Sequence, residues 1–215
     1  HSGLPDKIKE ISTSYLGGSP QSISMAGGAY GVVTNGIHYL DIAISVFDSN
    51  PLSVFSDLKS DKINPRSNEL DFWQGASIWS FPDNKKLILS ASNQSSVSPV
   101  VEIICPKGKI IINEDMSVST FKRAESEIKN DPRVIRLGKA FKQKKLDYIP
   151  DYSDVNNILI EPLINNSYSS AIDEEREVVA TKAIIYSLIS SLKGQKVNIS
   201  DKVEDKYYNR EWMIS

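Results

Sequence analysis

The middle of the sequence consists of short segments in which apolar and polar residues alternate, and this pattern constrains the fold most. Alternation with a period of two is typical of strands that bury one face. Turn residues such as Pro82-Asp83-Asn84 separate the segments, and connections this short favour antiparallel pairing. The pattern predicts six strands: Leu52–Leu58, Asp71–Phe81, Lys86–Ser92, Val100–Cys105, Lys109–Asn113 and Ser117–Arg123.

Helices are predicted on both sides of this run of strands. In residues 31–47 and in Asp173–Lys193 the apolar residues recur every three or four positions, which is the spacing of an amphipathic helix. Gly194 follows the second helix at the position of a C-terminal cap. The predicted apolar faces are Val33, Ile37, Leu40, Ile44 and Phe47 in the first helix, and Val178, Thr181, Ile185, Leu188 and Leu192 in the second.

Three further elements are predicted outside these segments. Ile8–Tyr15 is predicted to be a strand, Val155–Ile164 a short helix and Asp131-Pro132-Arg133 a turn. The order of elements predicts an α+β fold, with a large, mainly antiparallel open sheet and helices on one face. The uncovered sheet face predicts a homo-oligomer, with a dimer as the simplest form, because large bare apolar surfaces are uncommon on monomers.

Composition excludes several classes of protein. The 215 residues are 40% hydrophobic and 24% charged, which predicts one globular domain over residues 1–215. A net charge of −2 argues against nucleic acid as a partner. The lysines of residues 139–145 are interpreted as a solvated helix or loop face. No apolar run approaches the roughly 20 residues of a membrane helix.

The single cysteine, Cys105, lies in an apolar segment. It excludes an internal disulfide and any metal site with two cysteines. We interpret it as a buried thiol in a protein of a reducing compartment, and we expect a cytoplasmic location. Asp201, Glu204 and Asp205 have no histidine near them in sequence, so no metal site is predicted.

His38 is the candidate for proton transfer. On a helix its neighbours one turn away include Thr34, Asn35 and Asp41, and these polar residues lie beside the apolar stripe. Histidine titrates near neutral pH and can pass a proton in either direction. Spacing alone favours the alternative that His38 is a partly buried, hydrogen-bonded structural residue. For Asp41, a local hydrogen bond on the helix face is as good an interpretation as a site role.

The segment around His38 resembles the Gfo/Idh/MocA family of oxidoreductases. In that family a Gly-Gly pair precedes an acidic residue, and Gly-x-His-x-x-Asp follows on the first helix of the C-terminal domain. Here Gly27-Gly28 and Gly36-Ile37-His38-Tyr39-Leu40-Asp41 match. Thr34 replaces the acidic residue four before the histidine, whereas Asn35 resembles a branch with asparagine three before it. The order of elements also agrees along nearly the whole chain.

The resemblance implies a function and site residues. It implies the C-terminal substrate domain of an NAD- or NADP-dependent oxidoreductase acting on the CH–OH group of a sugar, sugar nucleotide or cyclitol. His38 would exchange a proton with the reacting hydroxyl, a role that a lysine of the first domain normally shares. Thr34 and Asn35 would bind neighbouring hydroxyls, Tyr30 would line the pocket, and Asp41 is a further candidate substrate ligand.

The cofactor half is expected to be absent from this chain. No Gly-x-Gly-x-x-Gly turn between a strand and a helix occurs in the sequence, so no cofactor-binding residues are predicted. We expect the chain alone to be inactive, and its partners to be an N-terminal dinucleotide-binding domain and a small sugar-type substrate. Two alternatives stay open. One is a non-catalytic carbohydrate-binding or assembly module that keeps the fold, and the other is a domain whose cofactor domain is encoded separately.

Overall fold

The computed structural model describes residues 3–63, 67, 69–130, 142–146 and 174–212. The predicted helix Val155–Ile164 and the predicted turn Asp131-Pro132-Arg133 lie outside these residues. Most strands belong to a large, mostly antiparallel open sheet, which confirms the predicted fold class. The chain divides into two compact units, residues 1–22 with 100–173 and residues 23–99 with 174–215.

The first unit contains an antiparallel meander and two helices. Its strands follow the order β8-β7-β6-β5, and each is antiparallel to the next. Three of them were predicted to within one residue at each end. The elements are α1 (Leu4–Ser14), β5 (Val100–Cys105), β6 (Gly108–Ile112), β7 (Val118–Lys122), α3 (Glu125–Asn130) and β8 (Lys142–Leu146).

Two predictions in the first unit are wrong. Ile8–Tyr15 is not a strand but belongs to α1, because the buried residues Leu4, Ile8 and Ile11 recur at helical spacing. The lysine-rich segment is not a helix or loop face in residues 142–146, which form strand β8 and pair with β7. Cys105 is buried as predicted, and burial raises the pKa of its thiol to about 12.

The second unit places two helices on a five-stranded part of the sheet, with strand order β1-β4-β3-β2-β9. The pairs β2–β3 and β3–β4 are antiparallel, as the short connection Pro82-Asp83-Asn84 predicted for β3–β4. Strand β1 was missed by the sequence analysis. The elements are β1 (Ser22–Gly27), α2 (Gly36–Phe47), β2 (Ser53–Asp61), β3 (Phe72–Ser80), a 3-10 turn (Pro82–Asn84), β4 (Lys86–Ala91), α4 (Glu174–Lys193), β9 (Val197–Asn198) and α5 (Asp205–Tyr208).

The core of the second unit lies between one sheet face and the helices α2 and α4. Trp79 of β3 is fully buried, and its indole N–H donates to the carbonyl of Ala183 at 3.2 Å. This bond joins β3 to α4 and satisfies the one polar atom of a large apolar side chain. Other buried side chains of this core are Leu40, Ala43, Phe47, Val54, Leu58, Leu87, Leu89, Ile184 and Leu188.

The buried face of α4 differs from the predicted one. Val178 is 66% exposed and Leu192 is 46% exposed. The helix instead buries a face rich in small residues: Ala180, Ala183, Ile184, Tyr186, Ser187, Leu188, Ile189 and Ser190. The prediction left out alanine and serine, whereas these small residues let the helix approach the sheet closely and serine hydroxyls bond to it.

Two serines of α4 accept hydrogen bonds from backbone N–H groups of β2 that have no neighbouring strand. Strand β9 pairs only with Ser53 and Val54. Beyond that point the backbone N–H of Ser56 donates to Ser190 Oγ at 3.0 Å, and that of Leu58 donates to Ser191 Oγ at 2.9 Å. Hydroxyl groups therefore take the place of a neighbouring strand, because buried backbone N–H groups need a partner.

Replacing Ser190 by alanine tests this arrangement. The change leaves the Ser56 N–H buried without an acceptor, and we expect the free energy of unfolding to fall by about 1–3 kcal/mol. Denaturant unfolding monitored by circular dichroism measures it. Ser90→Ala is the matched control, since Ser90 is exposed on β4, and we expect it to change little. Equal stabilities of the two variants would contradict the proposed role of Ser190.

Candidate active site

The loop that precedes α2 is held by three backbone hydrogen bonds, two to the segment 92–98 and one to strand β3. Gly28 N–H donates to Val97 O at 2.7 Å, Ala29 N–H donates to Ser95 O at 2.7 Å, and Val32 N–H donates to Trp73 O at 2.9 Å. At Gly28 a Cβ atom would lie 2.2 Å from the Ser95 carbonyl oxygen. This close approach is therefore possible only for glycine.

Helix α2 begins at Gly36 rather than at the predicted Gly31. Gly31 has φ +75°, a left-handed conformation that glycine adopts without strain. The turn at residues 32–35 then leads into the helix. A Cβ at Gly36 would lie 3.1 Å from Ile184 Cδ1 and 3.2 Å from Leu89 Cδ1. The first helical residue therefore lies directly against α4 and β4.

His38 lies in the first turn of α2, and its side chain is exposed. Its backbone N–H donates to Asn35 O at 3.2 Å. The exposure does not fit the alternative of a partly buried structural histidine. Thr34 and Asn35 precede the first helical residue and are half-buried, so they lie beside His38 at the start of the helix rather than on the same helical face.

Tyr30 is held in place by two neighbours. The side-chain amide of Asn35 donates to the Tyr30 carbonyl, and the rings of Tyr30 and Tyr39 lie 5.7 Å apart at an angle of 58°. The pKa of Tyr39 is raised well above its usual range, because its hydroxyl is buried and also interacts with Tyr30. The predicted ligand Asn35 therefore uses its amide nitrogen to fix the backbone of Tyr30.

Asp41 forms an ion pair with Arg176 of α4. The side chains are 21% and 23% exposed, so both charges are largely removed from water. The partner of Asp41 is therefore not a local residue of the same helix but lies in the first turn of α4. An arginine in the acidic first turn of α4 opposes the helix dipole, and this feature of the sequence could have singled out Arg176.

Two residues that the sequence analysis left out of the site carry buried polar atoms. Trp73 Nε1 and both side-chain atoms of Asn93 are buried without a hydrogen-bond partner among the described residues. Trp73 also accepts the bond from Val32, so it adjoins the loop that leads into α2.

Neither a metal site nor a membrane helix is found in the part of the chain that the structure describes. No group of three or more histidine, cysteine, aspartate or glutamate side chains could hold a metal ion there. None of the described helices is long and apolar enough to cross a bilayer. Glu204, one of the acids of residues 201–205, pairs with Lys193 at 2.5 Å and Lys206 at 3.0 Å.

The fold is shared with solved oxidoreductases. An NAD-binding protein from Listeria innocua matches with a TM-score of 0.65 and 15% identity over 93% of this chain and 61% of its own. An aldose-aldose oxidoreductase from Caulobacter crescentus, solved with glycerol, matches with a TM-score of 0.64 and 14% identity over 92% and 62%. The fold is the C-terminal domain fold of the Gfo/Idh/MocA oxidoreductases.

A third structure with this fold is an oxidoreductase from Agrobacterium radiobacter in complex with NAD+, L-tartaric acid and magnesium. It matches with a TM-score of 0.61 and 11% identity over 91% of this chain and 61% of its own. The chain thus spans about three fifths of the length of these proteins. No protein-family description and no curated protein matches the sequence. The fold that the resemblance implied is confirmed.

The ion pair between Asp41 and Arg176 predicts a stability effect. Arg176→Ala leaves a largely buried carboxylate without its partner, and we expect the free energy of unfolding to fall by about 1–3 kcal/mol. In the double variant Asp41→Ala/Arg176→Ala, the free energy of unfolding should fall by less than the sum of the losses in the two single variants. A double-mutant cycle measures this coupling. Lys7→Ala breaks the exposed pair with Glu10 and should cost about 0.5 kcal/mol or less. Additive effects at Asp41 and Arg176 would contradict the coupling.

Proposed function

We propose that this chain is the substrate-binding part of an NAD- or NADP-dependent oxidoreductase that acts on the CH–OH group of a sugar, sugar nucleotide or cyclitol. The observation that carries the proposal is the exposed His38 in the first turn of α2, within the Gly-x-His-x-x-Asp pattern. The shared fold of NAD-binding oxidoreductases supports it. One of these relatives is an aldose-aldose oxidoreductase, which favours a carbohydrate substrate.

The glycine pair Gly27-Gly28 does not fit a dinucleotide-binding loop. Gly27 ends strand β1 and Gly28 leads into a loop rather than a helix. The Gly28 N–H donates to Val97 O. It is therefore not free to bind a pyrophosphate, as the backbone N–H groups of a glycine-rich phosphate loop do. The cofactor would therefore be held by an additional, N-terminal domain, which in our proposal is the partner of this chain. Nicotinamide, when bound, supplies the hydride acceptor or donor.

The residues of this chain would bind the substrate and move its proton. In the oxidation direction the imidazole of His38 accepts the hydroxyl proton as the carbinol carbon becomes a carbonyl, and in reduction it returns that proton. Tyr30 is fixed by Asn35 and Tyr39 and would form one wall of the site. Thr34, Asn35 and Asp41 remain our proposed substrate ligands, although the Asn35 amide and the Asp41 carboxylate each already have one protein partner.

A non-catalytic carbohydrate-binding or assembly module is the second candidate. Thr34 stands where the resemblance implies an acidic residue, and this substitution favours it. Assays of the full-length protein with a panel of sugars, sugar nucleotides and cyclitols separate the two candidates. Binding of one of these compounds without any oxidation or reduction would support the module and contradict the enzyme.

Replacing His38 tests the catalytic proposal. In the full-length protein we expect His38→Ala to lower kcat by about two to four orders of magnitude, because the acid–base group is lost. Stopped-flow or steady-state kinetics with the best substrate of the panel measure it. Asp48→Asn is the control, since Asp48 is exposed at the other end of α2. An unchanged kcat in His38→Ala would remove His38 from the mechanism.

We also propose that the chain forms a homo-oligomer through the sheet face that α2 and α4 leave uncovered, and that it functions in the cytoplasm. Phe55 lies opposite Ile78, which lies opposite Ile88 in the next strand. Phe55 and Ile78 are 46% and 38% exposed. This apolar row crosses three strands and gives a second subunit a surface to bury. The lone thiol, buried at Cys105, fits a reducing compartment.

A charge in the apolar row should dissociate the oligomer. We expect Phe55→Glu to lower the molar mass of the full-length protein measured by light scattering, because a carboxylate would have to be buried between subunits. Val178→Glu changes an exposed apolar residue on α4 and should leave the mass unchanged. If Phe55→Glu keeps the mass of the unaltered protein, the oligomer does not use this face.

A further inference from the structure

The strongest anomaly in the second unit is the set of unsatisfied polar atoms at Trp73 and Asn93. Trp73 Nε1, Asn93 Oδ1 and Asn93 Nδ2 are all shielded from solvent and have no hydrogen-bond partner among the described residues. Most buried polar atoms in folded proteins have a partner, and each one without a partner costs about 1–3 kcal/mol. Three such atoms at one end of a sheet therefore require a physical reason.

The two residues adjoin each other. Gly75 of β3 is paired with Ala91 of β4, and Trp73 and Asn93 each lie two residues beyond this pair at the same end of the strands. The backbone N–H of Asn93 donates to the Oε1 atom of Gln74, the residue after Trp73, at 3.0 Å. The Asn93 backbone is thus tied to β3 while its side-chain amide keeps its hydrogen-bonding capacity.

The same residues adjoin the segment that carries His38. The Trp73 carbonyl accepts the N–H of Val32, four residues before the start of α2. The segment 92–98 is tied to the loop before α2 by the bonds of Gly28 to Val97 and of Ala29 to Ser95. The backbones of Trp73 and of the segment that contains Asn93 are therefore bonded to the loop 28–32 that leads into α2.

We propose that Asn93 and Trp73 are specificity-determining residues that bind two adjacent hydroxyl groups of the substrate. The amide offers an acceptor at Oδ1 and donors at Nδ2, and the indole offers one donor. A hydroxyl group both donates and accepts. One hydroxyl can therefore donate to Asn93 Oδ1. The oxygens of the two hydroxyls can accept from Asn93 Nδ2 and from Trp73 Nε1. The ligand class is a polyol with neighbouring hydroxyls.

This assignment rests on the proposed function and makes it more specific. A site built to hydrogen-bond a hydroxyl discriminates strongly against an analogue that lacks it, because its polar groups are then left unpaired. The Asn35 amide nitrogen and the Asp41 carboxylate already have protein partners, whereas the side-chain atoms of Asn93 do not. Asn93 and Trp73, rather than Asn35 and Asp41, therefore select for the hydroxyl pattern of the substrate.

Access to these atoms requires movement of the segment 92–98. Asn93 belongs to this segment, so its amide moves when the segment moves. The bond of the Asn93 N–H to Gln74 links this segment to β3. Three backbone bonds link it to residues 27–29: the Ser92 N–H donates to Gly27 O, and the carbonyls of Val97 and Ser95 accept from Gly28 and Ala29. Residues 94 and 96–98 are exposed, so little burial opposes the movement. The bound ligand would then take the place of the protein atoms that shield Trp73 Nε1 and the Asn93 amide from solvent, and would supply the hydrogen bonds that these atoms lack.

The indole N–H signals of tryptophan in nuclear magnetic resonance spectra test the proposal. The full-length protein, labelled with ¹⁵N at its indole nitrogens, is titrated with myo-inositol and D-glucose as probes, and the peaks are assigned with Trp73→Phe and Trp79→Phe. We expect the Trp73 peak to shift, since its N–H gains an acceptor. The Trp79 peak is the internal control, because its N–H already donates to Ala183.

Asn93→Ala and its control complete the test. We expect Asn93→Ala to weaken binding of the probe about tenfold or more, the loss expected when hydrogen bonds to a hydroxyl pair are removed. The variant should also bind a deoxy analogue nearly as well as the parent polyol. Asn50→Ala, at an exposed asparagine, should leave both affinities unchanged.

Three results would overturn the proposal: no shift of the Trp73 peak with either probe, equal shifts of the Trp73 and Trp79 peaks, or unchanged discrimination against the deoxy analogue in Asn93→Ala. Failure of the proposed function is recognised separately. A protein in which polyols shift the Trp73 peak but are neither oxidised nor reduced keeps this binding site and loses the dehydrogenase activity.

Discussion

The close approach of helix α2 to the sheet is the constraint on which the candidate site depends. Gly36 begins the helix, and any side chain at that position would come within about 3.2 Å of Leu89 and Ile184, closer than ordinary van der Waals contact. The absence of a side chain lets the helix start directly on β4 and α4. His38, two residues later, therefore has a fixed position relative to the sheet while its own side chain stays exposed.

The loop before α2 and the small residues of α4 support this approach. Gly28 lies too close to Ser95 for any side chain, and Gly31 has a left-handed backbone conformation that would be strained in other residues. These two glycines let the chain turn from β1 into the helix. Across the interface, Ala183 accepts the indole bond of Trp79, and Ser190 and Ser191 bond to β2. Small and hydroxylated residues of α4 thus bring the helix close to the sheet, beside the large apolar side chains of the core.

Local patterns predicted the sheet well because alternation and turns are properties of neighbouring residues. Strand β5 was predicted with its exact bounds, and the antiparallel pair β3–β4 followed from the short connection Pro82-Asp83-Asn84. The buried face of α4 and the start of α2 could not be predicted in the same way. Both depend on how closely one element approaches another. The helical spacing of Val178 and Leu192 does not indicate this distance. Strand β1, with Ile23 and Met25 buried, lay in a segment that the sequence analysis did not assign.

The candidate site was predictable only where one segment holds its residues. Tyr30, Thr34, Asn35 and His38 lie within nine residues, so a motif could bring them together. Arg176 reaches Asp41 from a helix about 135 residues later in the chain, and Trp73 and Asn93 meet through the pairing of β3 and β4. Such contacts depend on the fold, and no local pattern in the sequence predicts them.

The transfer of deuterium tests the proposed oxidation of a CH–OH group most directly. The full-length protein is given a polyol substrate that carries deuterium on the reacting carbon, together with oxidised NAD or NADP, and the reduced cofactor is analysed by mass spectrometry. We predict that one deuterium atom is found on the nicotinamide ring. Reduced cofactor without deuterium, or no reduced cofactor with any sugar, sugar nucleotide or cyclitol, would contradict the account.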